Sequence, residues 1–514
     1  MEKIKKYIAV ILSLVMSLML IIPVFAQNAG TFVITSPYDD VDFSSVRQYK
    51  TALHSHTNAS DGDNTLFESV ERHYMTGFEI VATTDHGTVS YSWSDETPNE
   101  FIHTMMGVLG KSEGELRYLG QSGHFSDGTE YEIVRGESGD DYLRTSDGRE
   151  IMRIPYGIEN NAVSVNAHVN SWFADYCDNS ITTYEDAVRG VDKAGGVCVI
   201  NHPGEYTKAR YELHSCDAYN TENPAYAYYI NKYATLIDGY KACIGIDINS
   251  KKDNRTRFER VLWDELLTRF SRNGDNVYAI ASSDAHQLDI IDTGFIYLLA
   301  PDKTSEDARY AIENGHMFPA SHCIGNPEEL REIAQSLCDF YGETELYTEV
   351  MTTLTAMEAK IKAIENGKEK ADEDIGIVYS VLDEDGFCTK ETQPMITDIE
   401  TQGDKIKIES ENAEIVRFIS NGKTICTKKA SEAEISLSDY ASQVGDYVRC
   451  EVFGEGGIVY TEAFLINAAE KTEKHPVTEG IYLNLGVLDF LFAEFNNFFN
   501  VIKIFFGKAF SKAC

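Results

Sequence analysis

Short apolar runs alternating with amphipathic stretches dominate the chain from residue 27 to about 322. Runs such as Ile80-Val81-Ala82 and Val197-Cys198-Val199-Ile200 have strand length, and Cys198 within the second reads as a small core residue. Between them, Phe258, Val261, Leu262, Leu266 and Phe270 fall on one helical stripe that Gly274 can cap, which predicts a helix over Phe258 to Ser271. A second helix is predicted from Tyr184 to Ala194, with Ala187, Val188 and Val191 on one face and Gly195-Gly196 ending it. This alternation is the signature of an α/β domain. From about 88 to 150 the periodicity weakens and Gly, Ser, Asp and Glu accumulate, which reads as an insertion, a hairpin or lid shaping access to a site.

Beyond 322 the pattern changes twice. Residues 323–392 turn helical and charged. Residues 393–470 alternate apolar and polar positions, as in Ile406-Lys407-Ile408, and Asn421-Gly422 marks a hairpin turn, so a small β-sandwich is predicted. In the final stretch, 471–514, Leu488, Leu491, Phe492, Phe495, Phe499, Ile502 and Phe506 form an apolar stripe interrupted by Asp489, Glu494 and Lys503. A helix lying on a membrane surface or a partner fits this tail, and so does one packed on its own protein. At the other end, Lys3, Lys5 and Lys6 precede the apolar run Ile8 to Phe25, and Ala26 closes it. Residues 1–26 therefore read as a signal peptide, and the chain as secreted or attached to the cell envelope.

Composition narrows the classes. The 514 residues suffice for two or three domains. Acidic residues outnumber basic ones 82 to 45, a net charge of -37, so no nucleic-acid partner is expected. The ten Cys residues include no C-x-x-C pair, which excludes a zinc ribbon or a thioredoxin-like site.

The chemistry sits where the apolar runs end. His54 and His56 follow Thr51-Ala52-Leu53, with Asp61 shortly after, and His86 follows the run from Ile80 through Asp85. Glu159 follows Ile158, His168 follows Val163 to Ala167, His202 follows Val197 to Asn201, and Asp284 and His286 follow Val277 to Ala281. Strand C-termini gathered on one rim bring distant side chains to one site. Six imidazoles and three carboxylates without a thiolate suit Zn, Mn or Fe, and they suffice for two or three divalent ions. Asp85 and Asn201 are placed to orient neighbouring ligands or to make plain structural hydrogen bonds. The other histidines, His73, His103, His124, His214, His316, His322 and His475, do not share that placement and read as solvated or structural.

The stretches HSHTNASDG from His54, VATTDHG to Gly87, GIENNAVSVNAH from Gly157, INHPGE from Ile200 and ASSDAH to His286 resemble the PHP (polymerase and histidinol phosphatase) superfamily of metal-dependent phosphoesterases. The pattern looks most like its CehA/McbA-type metallohydrolases. The resemblance implies an α/β fold: a distorted seven-stranded PHP-type β/α barrel over 27–322, then the helical segment and the small C-terminal β-sandwich. It also implies that Glu159 bridges, that His54, His56 and Asp284 complete one ion, that His168 and His202 hold a second, and that Asp61, His86 and His286 hold a third. Asp247 stands where relatives often carry Glu, and the stretch between His86 and Glu159 exceeds a compact version of the domain. The expected function is an exported phosphoesterase using a metal-bound hydroxide on a small phosphorylated substrate, with Glu159, His202 and His286 as catalytic residues and the two histidines as candidate proton donors. Two alternatives stay open: a carbamate, ester or amide hydrolase on the same metals, and an envelope-attached binding protein with structural metals.

Overall fold

The computed structural model describes residues 32–94, 103, 104, 107, 115–136, 139–160, 168–177, 183–205, 224–248, 259–322, 392–454 and 456–469. The predicted signal peptide, the helical segment up to 391 and the apolar stripe of the tail lie outside these residues.

The chain opens with β1 (Ile34–Thr35), β2 (Arg47–Ala52), α1 (Leu66–Met75) and β3 (Ile80–Val81). An antiparallel meander follows: β4 (Ser122–His124), β5 (Glu130–Arg135), β6 (Asp141–Thr145) and β7 (Glu150–Arg153). Next come β8 (Ile158–Asn160), β9 (Val169–Trp172), α2 (Tyr184–Ala194) and β10 (Val197–Ile200). Then α3 (Pro224–Gly239), β11 (Cys243–Ile248), α4 (Glu259–Phe270), β12 (Tyr278–Ala281), β13 (Gly294–Ala300), α5 (Ser305–Asn314) and β14 (Met317–Ser321) complete the first part. The last part is β15 (Met395–Gln402), β16 (Lys405–Glu411), β17 (Ile415–Ser420), β18 (Lys423–Lys428), β19 (Glu432–Ser436), β20 (Tyr447–Gly454), β21 (Gly457–Tyr460) and β22 (Phe464–Ile466).

Local chemistry sets these elements. Both α1 and α2 begin with a capping box, Thr65 with Glu68 and Thr183 with Asp186, which satisfies backbone groups the first turn would leave open. Gly195 ends α2 at φ 76°, a left-handed cap as its position predicts. Asn421 and Gly422, at φ 50° and 69°, make the tight turn between β17 and β18.

The predicted seven-stranded barrel does not form, because no sheet among the described residues closes on itself. A 14-stranded sheet carries β2, β3 and β7, and a separate five-stranded sheet runs β12-β11-β10-β9-β8. The reason is competition for strand edges. β13 pairs antiparallel along β2 from Arg47 to Thr51, and β7 takes the free edge of β3. Among the described residues the five-stranded sheet pairs with them only through single bridges at the rim, Ser55 to Ala285 and His86 to Glu159. β9 also runs antiparallel to both β8 and β10, so a uniformly parallel β/α arrangement is interrupted.

The C-terminal strands extend the larger sheet, since β21 pairs with β14. A three-stranded sheet, β15-β16-β19, contributes Ile396, Ile406, Ile408 and Ile435 to a core shared with Val416, Phe418, Cys450 and Val452. Buried polar contacts tie this part to the first, those of Arg449 and Glu462 among them. Arg449 donates from Nε and Nη2 to the two carboxylate oxygens of Asp264 on α4, at 2.8 and 2.7 Å, while its Nη1 donates to Glu451 at 2.7 Å. Glu462 accepts from the Ala279 N–H of β12 at 3.1 and 3.2 Å, capping the edge of the five-stranded sheet where a further strand would close it.

Burial pushes the Glu462 carboxyl well above the usual range, against the opposing pull of the Ala279 N–H and of Arg449. The folded chain thus keeps a proton that the unfolded chain releases, and stability from this group falls as pH rises above the ordinary glutamate range. Glu462→Gln removes that dependence and keeps an acceptor for Ala279. Its stability relative to the natural chain should rise between about pH 5 and about pH 8 by about 1 kcal/mol or more, measured by urea unfolding. Parallel pH profiles for the two chains would contradict a neutral Glu462.

Candidate metal centre

The nine strand-end residues converge on one rim. β2, β3, β10 and β12 each end just before their ligands: His54 and His56, His86, His202, then Asp284 and His286. His168 departs from the sequence reading, for it stands before β9 and not after a described strand. Because β9 runs opposite to its neighbours, its beginning lies at the rim where theirs end. Glu159 sits within β8 and is 1% exposed.

Each carboxylate is flanked by imidazoles on both oxygens. Glu159 Oε2 lies 3.1 Å from His56 Nε2, 3.4 Å from His54 Nε2 and 3.3 Å from His86 Nδ1. Glu159 Oε1 lies 3.2 Å from both His168 Nδ1 and His202 Nε2. Asp284 Oδ1 is 3.1 Å from the Nε2 atoms of His54 and His56 and 3.6 Å from His286 Nδ1, and its Oδ2 is 3.9 Å from His202 Nε2. Asp61 presents Oδ1 to His56 Nδ1 at 3.5 Å and to His86 Nε2 at 3.7 Å, and Oδ2 to His286 Nε2 at 3.3 Å.

Strand ends alone do not aim these groups. His202 and Asp284 adopt φ values of 25° and 46°, left-handed conformations that cost about 1–3 kcal/mol each in a non-glycine residue and concentrate at functional sites. Gly62 closes the loop between His56 and Asp61, where a Cβ would lie 2.8 Å from the His56 carbonyl. Asp85 fastens the same loop, accepting from Thr57 N and Thr57 Oγ1 at 2.7 Å and from Ser60 Oγ at 2.6 Å. Asn201 donates to Glu159 Oε1 at 2.7 Å and holds the Asn170 N–H through its own oxygen at 3.3 Å. Sequence reasoning missed Thr57, Ser60 and Ser282 as supports. Ser282 donates to Asp247 at 2.5 Å and lies 3.4 Å from His54 Nδ1, while the Asp247 carboxylate is 3.7 Å from that nitrogen. The period-2 spacing of Ser282, Asp284 and His286 was the signal for it.

Electrostatics follow from this packing. Burial would lower the His54 pKa, but Asp284 and Glu159 outweigh it and raise it to about 9. His56 is raised for the same reasons. His86, dominated by burial, is pushed down to about 3. Glu159 stays well below the carboxylate range despite its burial, because His86, His168 and His54 surround it.

Three sets of these groups place their ligand atoms within 4.8 Å of one another: His54, His56, Glu159 and Asp284; His56, Asp61 and His86; His86, Glu159 and His168. They are consistent with one or two divalent metal ions. The fit is supported by the Nε2 atoms of His54 and His56, 3.0 Å apart and both turned to one carboxylate oxygen, and by the buried His86 Nδ1, which has no hydrogen-bond partner. Imidazole nitrogens directed at shared carboxylate oxygens form the donor set that borderline divalent cations prefer.

Four of the remaining described histidines keep structural contacts. His73 Nδ1 bonds the Ser69 carbonyl at 2.8 Å, His103 Nδ1 that of Asn58 at 3.0 Å, and His322 Nδ1 that of Gly456 at 2.7 Å. His316 pairs with Asp40 at 3.0 Å, and His124 lies in β4. His214 and His475 lie outside the described residues.

No protein-family model matches this chain, and no curated protein does. Among solved structures, a two-domain protein from Bacteroides vulgatus containing a predicted PHP-like metal-dependent phosphoesterase is 13% identical. The match covers 85% of this chain and 99% of that one, with a TM-score of 0.34. PsfC from Pseudomonas syringae is 12% identical over 51% of this chain and 88% of its own, with a TM-score of 0.28. Likeness at this level carries no argument about chemistry. The His, Asp and Glu clusters could hold divalent metal ions, and nothing in them marks the CehA/McbA-type branch.

Asp85→Ala leaves three buried donors of the His56–Asp61 loop without their acceptor. It should lower unfolding stability by about 2–4 kcal/mol and reduce bound metal in the purified chain, measured by denaturant titration and elemental analysis. Full metal content at natural stability would show that the loop does not depend on Asp85.

Proposed function

We propose that this chain is an exported metal-dependent hydrolase whose nine-residue centre holds two or three divalent ions and cleaves phosphate esters of a small molecule. The observation that carries this reading is the division of Glu159, one oxygen serving His54, His56 and His86 and the other serving His168 and His202. A carboxylate shared in that way suits a bridging ligand between neighbouring ions. His54, His56 and Asp284 would complete one ion with Glu159, and His168 and His202 a second. Asp61, His86 and His286 would hold a third.

Divalent ions held by these residues would acidify a water and offset charge on the scissile group. The chain's own residues do the rest. Asn201 fixes the orientation of Glu159, and Asp247 with Ser282 fixes that of His54. His202 and His286 are the proton-transfer positions for the leaving group. His286, whose side chain is 32% exposed, faces solvent, whereas His202 is almost fully enclosed. Zn, Mn and Fe all suit the donor set. Export rests on the residue pattern of 1–26, a membrane-surface contact on the apolar stripe of the tail, and the absence of a nucleic-acid partner on the net charge of -37.

Screening the chain, reconstituted with Zn, Mn or Fe, against phosphomonoesters, phosphodiesters, carbamates and carboxylic esters tests this reading. Phosphate release is expected, falling by about a thousandfold in a His54→Ala/His56→Ala chain. Cleavage that survives the double substitution would sink the metal-centred mechanism. Carbamate or ester cleavage without phosphate release would replace the phosphoesterase reading, and metal binding with no cleavage would leave a binding protein with structural metals.

A further inference from the structure

At the end of the larger sheet opposite the metal centre lies a cleft of about 830 Å³, within the roughly 300–1,000 Å³ of small-ligand pockets. It is built from the beginnings of strands: Arg47 and Tyr49 of β2, Glu79 just before β3, and Glu150 of β7. The metal ligands follow the far ends of β2 and β3. At strand rise, the seven residues from Arg47 to His54 span roughly 23 Å.

Three arginines and a lysine line this cleft, Arg47, Arg144, Arg149 and Lys303, against three acids, Glu79, Glu150 and Asp302. The arginines pair with acids, but unequally. Arg47, Arg144 and Arg149 have side chains 65%, 49% and 49% exposed, while their partners Glu79, Glu150 and Asp147 are 30%, 28% and 42% exposed. In each pair the arginine is the more exposed partner. Each guanidinium carries five N–H donors, and these pairs use few of them. Arg47 uses Nη2, Arg144 uses Nε, and Arg149 uses Nε on Asp147 and Nη1 on the Tyr74 carbonyl. Two of the three also lie over rings. The Arg149 guanidinium lies 3.6 Å from the Tyr74 ring centre and that of Arg47 lies 4.9 Å from the Tyr49 ring centre. A guanidinium attracted to a ring face keeps its in-plane N–H donors for an oxyanion.

We propose that this cleft binds a small ligand bearing two or more oxyanionic groups, phosphate or carboxylate, independently of the metal centre. Exposed guanidinium groups with unused N–H donors are what such a ligand needs on a chain whose net charge of -37 would otherwise repel it. Calorimetric titration of the full chain in a chelating buffer, with tripolyphosphate and separately with citrate, tests the proposal. One saturable site is expected for at least one probe. It should persist in the His54→Ala/His56→Ala chain and weaken by about tenfold or more in Arg47→Gln/Arg144→Gln. Both arginines are exposed, so the second variant keeps the fold. Tripolyphosphate alone binding assigns the phosphate class, citrate alone the carboxylate class, and both the shared oxyanion chemistry. Binding of neither probe, unchanged affinity in the arginine variant, or loss in the histidine variant would overturn it.

Discussion

Glu159 is a carboxylate taken almost completely out of water, and a protein interior tolerates such a charge only when it is compensated on all sides. Five imidazoles from four separate segments of the chain do this, at 3.1 to 3.4 Å, and an asparagine amide adds a hydrogen bond. None of these groups is close to Glu159 in sequence except His168. Much of the architecture can be understood as the means of bringing them there. Divalent ions between the imidazoles and the carboxylates would complete the same compensation more strongly than protons can, since each supplies two charges.

The fold achieves this with two sheets whose ends abut, instead of one closed barrel. β13 and β7 occupy the edges that closure would need, so strand pairing between the sheets among the described residues is left to two bridges, while Ile80, Ile296, Val199 and Ile280 share a core between them. Such a junction is held by what surrounds it. The loop carrying His56 bonds the loop carrying Asp284 and His286, through His56 N to Ala285 O at 2.9 Å and Asp63 N to His286 O at 2.8 Å. Behind the junction, Glu462 caps β12 and Arg449 grips α4, so the C-terminal strands support the sheet from which Asp284 emerges. The left-handed backbone at His202 and Asp284 persists because this packing over-determines it.

The site was more legible in the sequence than the fold that carries it. His54, His86, His202 and Asp284 announce themselves because each closely follows an apolar run, a local pattern that survives whatever the strands then pair with. The helix seen as Glu259–Phe270 and the turn at Asn421-Gly422 were legible for the same reason. Barrel closure was not, because an apolar run such as Gly294–Ala300 does not say whether it will lie parallel or antiparallel to its neighbour. The reversed direction of β9 hid the true position of His168 relative to its strand. The contacts of Asp247 with Ser282, Arg449 with Asp264 and Glu462 with Ala279 join segments from 35 to 185 residues apart, and no local periodicity encodes them.

Counting metal in the purified chain tests most directly the proposed role of Glu159 between two ions. Elemental analysis should find two or more equivalents of divalent metal in the natural chain, and loss of more than one equivalent in Glu159→Ala. A single equivalent in the natural chain, or a count that Glu159→Ala leaves unchanged, would contradict it.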